Sequence, residues 1–291
     1  MRVLLIFNPK AGPTNRCQVD LLSWLTQLAG HTLTVQLPET ADDAATVAKR
    51  GVDEGYDRIL AAGGDGTINR VVSALAETGI PLGIIPIGTV NVLARELNIP
   101  LDPVKALQVA LGRRSRSLDL GMANGHSFTL MASMGFDAKV VSEIVPRLKE
   151  LFGPLAYVTA GLQTLARYKP SQFYLTFDGK TVRFPAWMLV VGNASYYAYQ
   201  LTVTPGARMD DGLLDIIVFG EQNALDRLSQ IGAVFIGQHV KHPNIRYFQA
   251  PALSIAAEPP VHLQLDGDSV GMSPVEISVK HGALRVMVPE E

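Results

Sequence analysis

The chain has 291 residues, a formal net charge of −2 and an apolar content of 47%. That length suits two domains or one large one with a full core, and the near-balanced charge excludes a bulk attraction to nucleic acid. The single cysteine, Cys17, excludes an intramolecular disulfide framework and a cysteine-built zinc site.

In chain order, RVLLIF (2–7) is a continuous apolar run, as a strand covered on both faces should be. MRVLLIFNPKAG lacks the apolar length and small-residue cleavage pattern of a signal peptide, and no later window approaches the ~18–20 apolar residues of a membrane span. A soluble chain, or one at most peripheral to a membrane, is therefore expected. Residues 17–29 predict a helix with Leu21, Leu25 and Leu28 on one stripe, Cys17 as a small apolar filler and Gly30 as the stop. TLTVQL (32–37) alternates with period two, 42–54 reads as helix, RILAA (58–62) as a buried strand, 67–78 as helix and PLGII (81–85) as strand. Two short helices follow, the second opening with Asp102-Pro103, a cap residue before proline at the first helical position. This alternation predicts an α/β N-terminal domain with a parallel sheet between helices.

Near residue 117 the pattern changes. Strand-like runs flank Asn124-Gly125 and again Asp178-Gly179, both strong hairpin signals, with helices expected at about 137–150 and 154–168 between them. After Gly212 come LLDIIVF, a helix over about 223–239, and the alternating runs IRYFQA, LSIAA, VHLQLDGD, VEISVK and LRVMV. The second domain should thus be mainly antiparallel and β-rich. The expected division is 1–120, completed by 284–291, and 121–283.

Ligands of an open parallel sheet sit beyond the carboxyl ends of its strands. AAGGDGT (61–67) lies at such an end and leads into a helix. Gly63, Gly64 and Gly66 permit close backbone approach there, and the free amides of a helix start suit a phosphate. An aspartate beside a phosphate repels it unless a cation intervenes, so Asp65 points to Mg²⁺, with Thr67 as hydroxyl donor or ligand. The ligand-free reading makes Asp65 a helix cap. NPKAG (8–12) and PIGTVN (86–91) bring two more small-residue loops to the same sheet edge. Lys10 would neutralise phosphate oxygens, and Thr89 and Asn91 would donate hydrogen bonds. Neither GxxxxGK[ST] nor the dinucleotide fingerprint is present, so the expectation is a nucleotide site of another design.

NPKAG, GGDGTINRVVSAL, GIIPIGTVNVLARELNIP, LDLG, GFDA, TPGARMDDGLLDIIVF, GQHVKHPNIRYF and LQLDGD occur in that order over nearly the whole chain. The series resembles the diacylglycerol kinase catalytic family, which includes bacterial lipid kinases and the sphingosine and ceramide kinases; GGDGT alone is shared with NAD kinases. The resemblance implies ATP in a cleft between the two domains. It implies a nucleotide site lined by Asn8, Pro9, Lys10, Ala11, Gly12, Thr40, Gly64, Asp65, Gly66, Thr67, Ile68, Asn69, Arg70 and Thr89. It also implies catalytic Mg²⁺ held by Asp65 and Asp119. DDGLLDI looks like the family's structural Mg²⁺ loop, with the Asp211 side chain and the Leu214 and Ile216 carbonyls as ligands.

Asp266 and Asp268 stand two apart, so on an extended chain both would share one face, and crowded carboxylates favour a general base for a hydroxyl proton. By the resemblance Asp268 is that base and Asp266 its partner; the plain alternative is a tight Asp-Gly turn. Three departures stand out: Asp268 replaces a glutamate, shortening the reach by about 1 Å, Val92 stands where many bacterial members have aspartate, and Arg70 replaces a common glutamate. The expected function is an ATP- and Mg²⁺-dependent kinase acting on the hydroxyl of a membrane lipid, diacylglycerol first, otherwise ceramide, a sphingoid base or another lipid alcohol. The alternatives are an NAD-kinase-like enzyme for a soluble substrate and a non-catalytic nucleotide- or lipid-binding relative. Docking to the inner face of the cytoplasmic membrane would use Arg113, Arg114 and Arg116 and PRLKELFGPLAYV (146–158), whose plain alternative is solvated charges beside core leucines. Tyr196, Tyr197 and Tyr199 are candidates for an acyl or headgroup entrance, with aromatic core packing the plain alternative; His239 and His242 read as structural, and a homodimer fits exposed sheet edges.

Overall fold

The computed structural model describes residues 1–11, 16–144, 168–198, 201–220 and 223–290. The chain divides into two units, one mainly Met1–Leu120 with His281–Glu291, the other Gly121–Tyr197 with Leu201–Lys280.

The first unit runs β1 (Arg2–Phe7), α1 (Arg16–Leu28), β2 (Thr32–Gln36), α2 (Ala41–Asp53), β3 (Arg58–Gly63), α3 (Asp65–Leu75), β4 (Leu82–Pro86), α4 (Val92–Glu96), α5 (Pro103–Leu111) and the start of β5 (Ser115–Ala123). β2, β1, β3 and β4 lie side by side and parallel, and Val286 near the chain's end pairs with Leu82. The continuous apolar runs explain this: β1, β3 and β4 are buried on both faces and so must be covered by helices from each side. α1 differs from the expected stripe. Leu22 and Thr26 are fully buried, whereas Leu21 is 43% and Leu28 69% exposed, and Cys17 is exposed as well. Thr26 fits the core because its hydroxyl donates to the Leu22 carbonyl at 2.7 Å, so the helix satisfies its own buried polar group. α2 begins with a capping box in which Thr40 accepts from the Asp43 amide and Asp43 accepts from Thr40.

The second unit contains the end of β5, then β6 (His126–Phe128), β7 (Met131–Gly135), α6 (Phe136–Lys139), β8 (Ser171–Phe177), β9 (Lys180–Gly192), β10 (Tyr196–Ala198), β11 (Leu201–Thr202), β12 (Leu214–Gly220), α7 (Ala224–Phe235), β13 (Ile245–Ala250), β14 (Ala252–Glu258), β15 (His262–Leu265), β16 (Asp268–Met272) and most of β17 (Val275–Met287). All its long pairings are antiparallel. β9 organises them, pairing through Lys180–Ala186 with β8 and through Met188–Gly192 with β7, while β12 joins its other edge. Phe128, Phe173, Leu189, Val191, Ile216, Val218, Ile255, Leu263 and Ile277 meet in the core so enclosed. Both expected hairpins form, with left-handed Asn124 and Asp178 each followed by a left-handed glycine. The helix expected over 137–150 is found as α6 continuing into a π-helical turn to Ile144; its remainder and nearly all of 154–168 lie outside the described residues. VEISVK and LRVMV form one strand, β17, rather than two.

Candidate active site

The three small-residue loops of the first unit are tied to one another by hydrogen bonds. The Asn8 amide donates to the Ala62 carbonyl at 2.9 Å, and Asn8 Nδ2 donates to the Thr67 hydroxyl at 2.8 Å, joining the loop after β1 to the start of α3. Asn8 Oδ1 accepts from the Lys10 amide, leaving the Lys10 side chain exposed at the loop's edge. Pro9 and Ala11 belong to the same turn, whereas Gly12 lies outside the described residues. Glycine is required where the next two loops touch: a Cβ on Gly88 would stand 2.4 Å from the Gly64 Cα, and one on Gly63 would stand 2.6 Å from the Thr67 Cβ.

Asp65 spans this contact. Its Oδ2 accepts from the Asn91 amide at 2.9 Å and its Oδ1 from the Val92 amide at 2.6 Å, so the carboxylate holds the start of α4. The α3 helix itself begins at Asp65 behind Gly64, with no side chain capping its first amides. Gly66 is exposed there and a Cβ on it would meet nothing within 4 Å, while Thr67 and Ile68 are buried. A helix start whose Gly64 cap supplies no side-chain hydrogen bond, packed closely against Gly88, fits an anion.

Several expected donors are committed elsewhere. Asn91 is 5% exposed, takes left-handed φ 56, and spends its side chain on Gly88, accepting from its amide at 3.0 Å and donating to its carbonyl at 2.8 Å. It shapes the loop instead of reaching a ligand; Thr89, by contrast, is exposed at the loop's tip. Thr40 is spent on its capping box. Arg70 pairs with Asp42 of α2 at 2.9 Å on an exposed face, while Asn69 stands half-buried one position before it on α3. Asp119 on β5 is fully buried, and its Oδ1 accepts from the Gly282 amide at 2.7 Å and faces His281 Nδ1 at 2.8 Å. Among the described residues no three His, Cys, Asp or Glu side chains gather as a metal cage. Mg²⁺ carried on a nucleotide needs only one or two carboxylates beside phosphate oxygens and water, and the half-buried Asp65 at the α3 start is a carboxylate of that kind.

In the second unit the turn between β15 and β16 corrects the expectation of an extended Asp266–Asp268 pair. Asp266 has φ 47 and Gly267 φ 92, a tight turn in which the two carboxylates are not neighbours on one extended face. Asp266 accepts from three backbone amides, Thr129 at 2.6 Å and Leu130 and Met131 at 2.9 Å, and is thereby a fastener of the turn. Asp268 follows, exposed at the first position of β16.

Beneath the turn lies a polar group that sequence reasoning missed. Gln264 Oε1 accepts from the Gly267 amide at 2.6 Å, and its Nε2 donates to the Ser133 hydroxyl at 2.8 Å and to Asp137 Oδ2 at 3.0 Å. Ser133 and Tyr197 also donate to Asp137. Asp137 and Tyr197 are the polar members of an otherwise apolar cavity of about 220 Å³, walled by Phe136, Trp187, Val190, Phe219 and Phe235 among others. Tyr199 lies outside the described residues. The signals present in sequence were GFDA and the Gln264 three places before the turn glycine, neither of which names a partner.

In the DDGLLDI loop (210–216) Asp211 Oδ1 accepts from the Leu213 amide at 3.0 Å. Leu214 begins β12, but Ile216 is flanked by Val191 and Phe248 and its carbonyl sits within the sheet ladder. The missed residue is Asp215: fully buried, its Oδ1 accepts from Tyr247 and Gln249, and its Oδ2 has no hydrogen-bond partner. Burial pushes its carboxyl above the usual carboxylate range, and the negative charge of Asp211 adds to that. An orphaned carboxylate oxygen beside a second carboxylate fits a cation at this loop.

Residues 2–123 match the model of the diacylglycerol kinase catalytic domain, and 131–288 that of the YegS C-terminal NAD kinase beta sandwich-like domain. Diacylglycerol kinases from Staphylococcus aureus strains RF122 and MRSA252 are each 32% identical over 298 aligned positions, covering all of this chain and 93% of the relative. A crystal structure of a candidate diacylglycerol kinase from Bacillus anthracis superposes with a TM-score of 0.82 at 26% identity, covering 99% of this chain and 95% of that one. A second Bacillus anthracis structure, described as a diacylglycerol kinase, shares the fold at a TM-score of 0.76 and 22% identity, covering 99% and 97%.

Proposed function

The chain belongs to the diacylglycerol kinase family of lipid kinases, and from that membership we propose that it transfers the γ-phosphate of ATP to the hydroxyl of a membrane lipid, with diacylglycerol the first candidate. The observation that carries the acceptor class is the apolar cavity of the second unit, in which Asp137 and Tyr197 are the only polar lining among twelve residues. A long hydrocarbon gains there from burial, and a headgroup finds a carboxylate and a phenol, whereas a soluble polar substrate would lose its hydration. No helix among the described residues is long and apolar enough to cross a membrane; in this reading the lipid is met at a bilayer surface.

In this reading the uncapped amides at the start of α3, the Thr67 hydroxyl and Lys10 bind and orient the nucleotide phosphates. Asp65 keeps the two glycine loops in contact and shares the metal with Asp119. Bound ATP with Mg²⁺ supplies an electrophilic phosphorus whose charge the metal spreads. Asp268 takes the proton from the lipid hydroxyl, and Asp266 fixes the turn that carries it. Asp211, assisted by Asp215 and the Leu214 carbonyl, would hold a second, structural cation. Arg113, Arg114 and Arg116 would face anionic lipid; the second basic and apolar segment, 146–158, lies outside the described residues.

The test is labelled-phosphate transfer from ATP, with Mg²⁺, to diacylglycerol, ceramide, sphingosine and NAD in mixed micelles, with Asp268→Ala beside the parent. A labelled lipid that disappears in the variant is expected. Label found on NAD alone would overturn the acceptor class, and ATP binding without transfer would overturn the enzymatic reading.

A further inference from the structure

We propose that Gln264 is a positioning residue that locks the Asp266-Gly267 turn, and with it Asp268, to the Asp137–Tyr197 pair in the wall of the apolar cavity. The inference rests on the reading of Asp268 as proton acceptor.

The turn has two fasteners of different kind. Asp266 is held by three amides of the strand entry at Thr129–Met131. Gly267, the residue next to Asp268, is held through its amide by Gln264 Oε1. Gln264 is 2% exposed, and the register of β15 against β16 shifts between Leu263 and Gln264. Such a bulge re-aims a side chain, and here it accompanies a buried amide turned toward the turn glycine. Opposite Gln264 on β7 stands Ser133, fully buried.

The orientation of the Gln264 amide follows from its neighbours. Its Nε2 faces Asp137 Oδ2 and the Ser133 hydroxyl, so both of its hydrogens are used, and the opposite orientation would set Oε1 against a carboxylate. Oε1 is consequently left to Gly267. Ser133 and Tyr197 complete the Asp137 carboxylate. With Gln264 and Ser133 buried and Asp137 and Tyr197 half-buried at the cavity wall, a network satisfied at every member favours one geometry, and a change at one member is felt at the others. Gln264 is the member that touches the turn, and Asp137 and Tyr197 are the members that touch the cavity. A displacement of about 1 Å in a proton acceptor is enough to cost about 100-fold in rate.

The polarity of the pair gives the test, because amide and carboxylate can be exchanged. Gln264→Glu keeps an acceptor for Gly267 but sets a second carboxylate against Asp137. Gln264→Ala removes the fastener. In the double variant Gln264→Glu/Asp137→Asn the amide donates from position 137 instead, and every hydrogen bond can be remade. We expect both single variants at position 264 to lower kcat about 10–100-fold, with the KM for ATP within about twofold of the parent. The exchanged pair should recover at least about tenfold of the Gln264→Glu loss. Independently of activity, hydrogen exchange at the Gly267 amide should quicken in Gln264→Ala and slow again in the exchanged pair, while amides of β12 stay at parental rates.

Should the parent transfer no phosphate to any lipid, the proposed function falls, and Gly267 exchange alone decides the network. An unchanged kcat in Gln264→Ala, or exchanged-pair kcat no better than Gln264→Glu in a normally melting protein, would overturn the positioning role. Parental exchange at Gly267 in Gln264→Ala would overturn the contact itself.

Discussion

Replacing Asp65 by alanine removes both acceptors that hold the start of α4, and the consequence can be sized from the geometry. The two bonds, at 2.9 and 2.6 Å, are charge-assisted, and their donors belong to Asn91 and Val92, which are 5% and 6% exposed. A hydrogen bond to a charged group contributes roughly 1.5–3 kcal/mol, and a buried amide left without a partner costs roughly 1–3 kcal/mol. Allowing water to reach one of the two amides, the loss is about 3–5 kcal/mol. At roughly 3 °C per kcal/mol for a unit of this size, the first unit should melt about 9–15 °C lower. Asp65→Asn keeps one acceptor oxygen and should lose about half as much. Calorimetry without nucleotide or Mg²⁺ isolates this effect from any metal contact. A shift under about 2 °C in Asp65→Ala, together with loss of Mg²⁺-dependent ATP binding, would refute the loop-fastening account and leave the carboxylate to the metal alone.

Gly88→Ala places a methyl 2.4 Å from the Gly64 Cα and 2.9 Å from Asn91 Oδ1, so the loops must part; a loss of at least about tenfold in ATP affinity by titration is expected, and parental affinity would refute the need for that contact. Burial raises the Asp215 carboxyl above 3.8, so the folded state holds its proton more tightly than the unfolded chain does. Stability from this group is therefore complete below pH 3.8 and is lost as pH rises through the raised value. Asp215→Asn should abolish that decline in melting temperature relative to the parent, and Mg²⁺ at pH 7 should raise the parental midpoint more than the variant's; identical pH profiles would contradict the burial argument. The Arg70–Asp42 pair is 43% and 84% exposed, so Asp42→Ala should cost no more than about 1 kcal/mol in thermal melts at moderate salt, and a larger loss would show that Arg70 is anchored for another purpose.

Much of the architecture is legible locally. Buried parallel strands need apolar residues on both faces, so RVLLIF and RILAA announce themselves, and Asn124-Gly125 and Asp178-Gly179 turn the chain because their backbone tolerates positive φ. Thr40 with Asp43 and Asp102 with Pro103 mark helix starts for equally local reasons. The stripe on α1 misled because three leucines at helical spacing name a face but not the neighbour that covers it; Leu22 and the self-satisfied Thr26 took the buried side.

The sequence by itself thus determined the alternation of β and α, the hairpins, the glycine loops at strand ends and the family, all of which depend on residues close together or on motif order. Only the tertiary structure decided what the polar side chains do. The amides that hold Asp65 come from 26 and 27 residues away, and those that hold Asp266 from 135 to 137 residues away. Gln264 meets Ser133 and Asp137 across 131 and 127 residues. A carboxylate or amide beside a glycine has the same local chemistry whether it binds a metal, a ligand or a backbone. Its role is set by which donors the fold brings within about 3 Å, a distance that no spacing along the chain encodes.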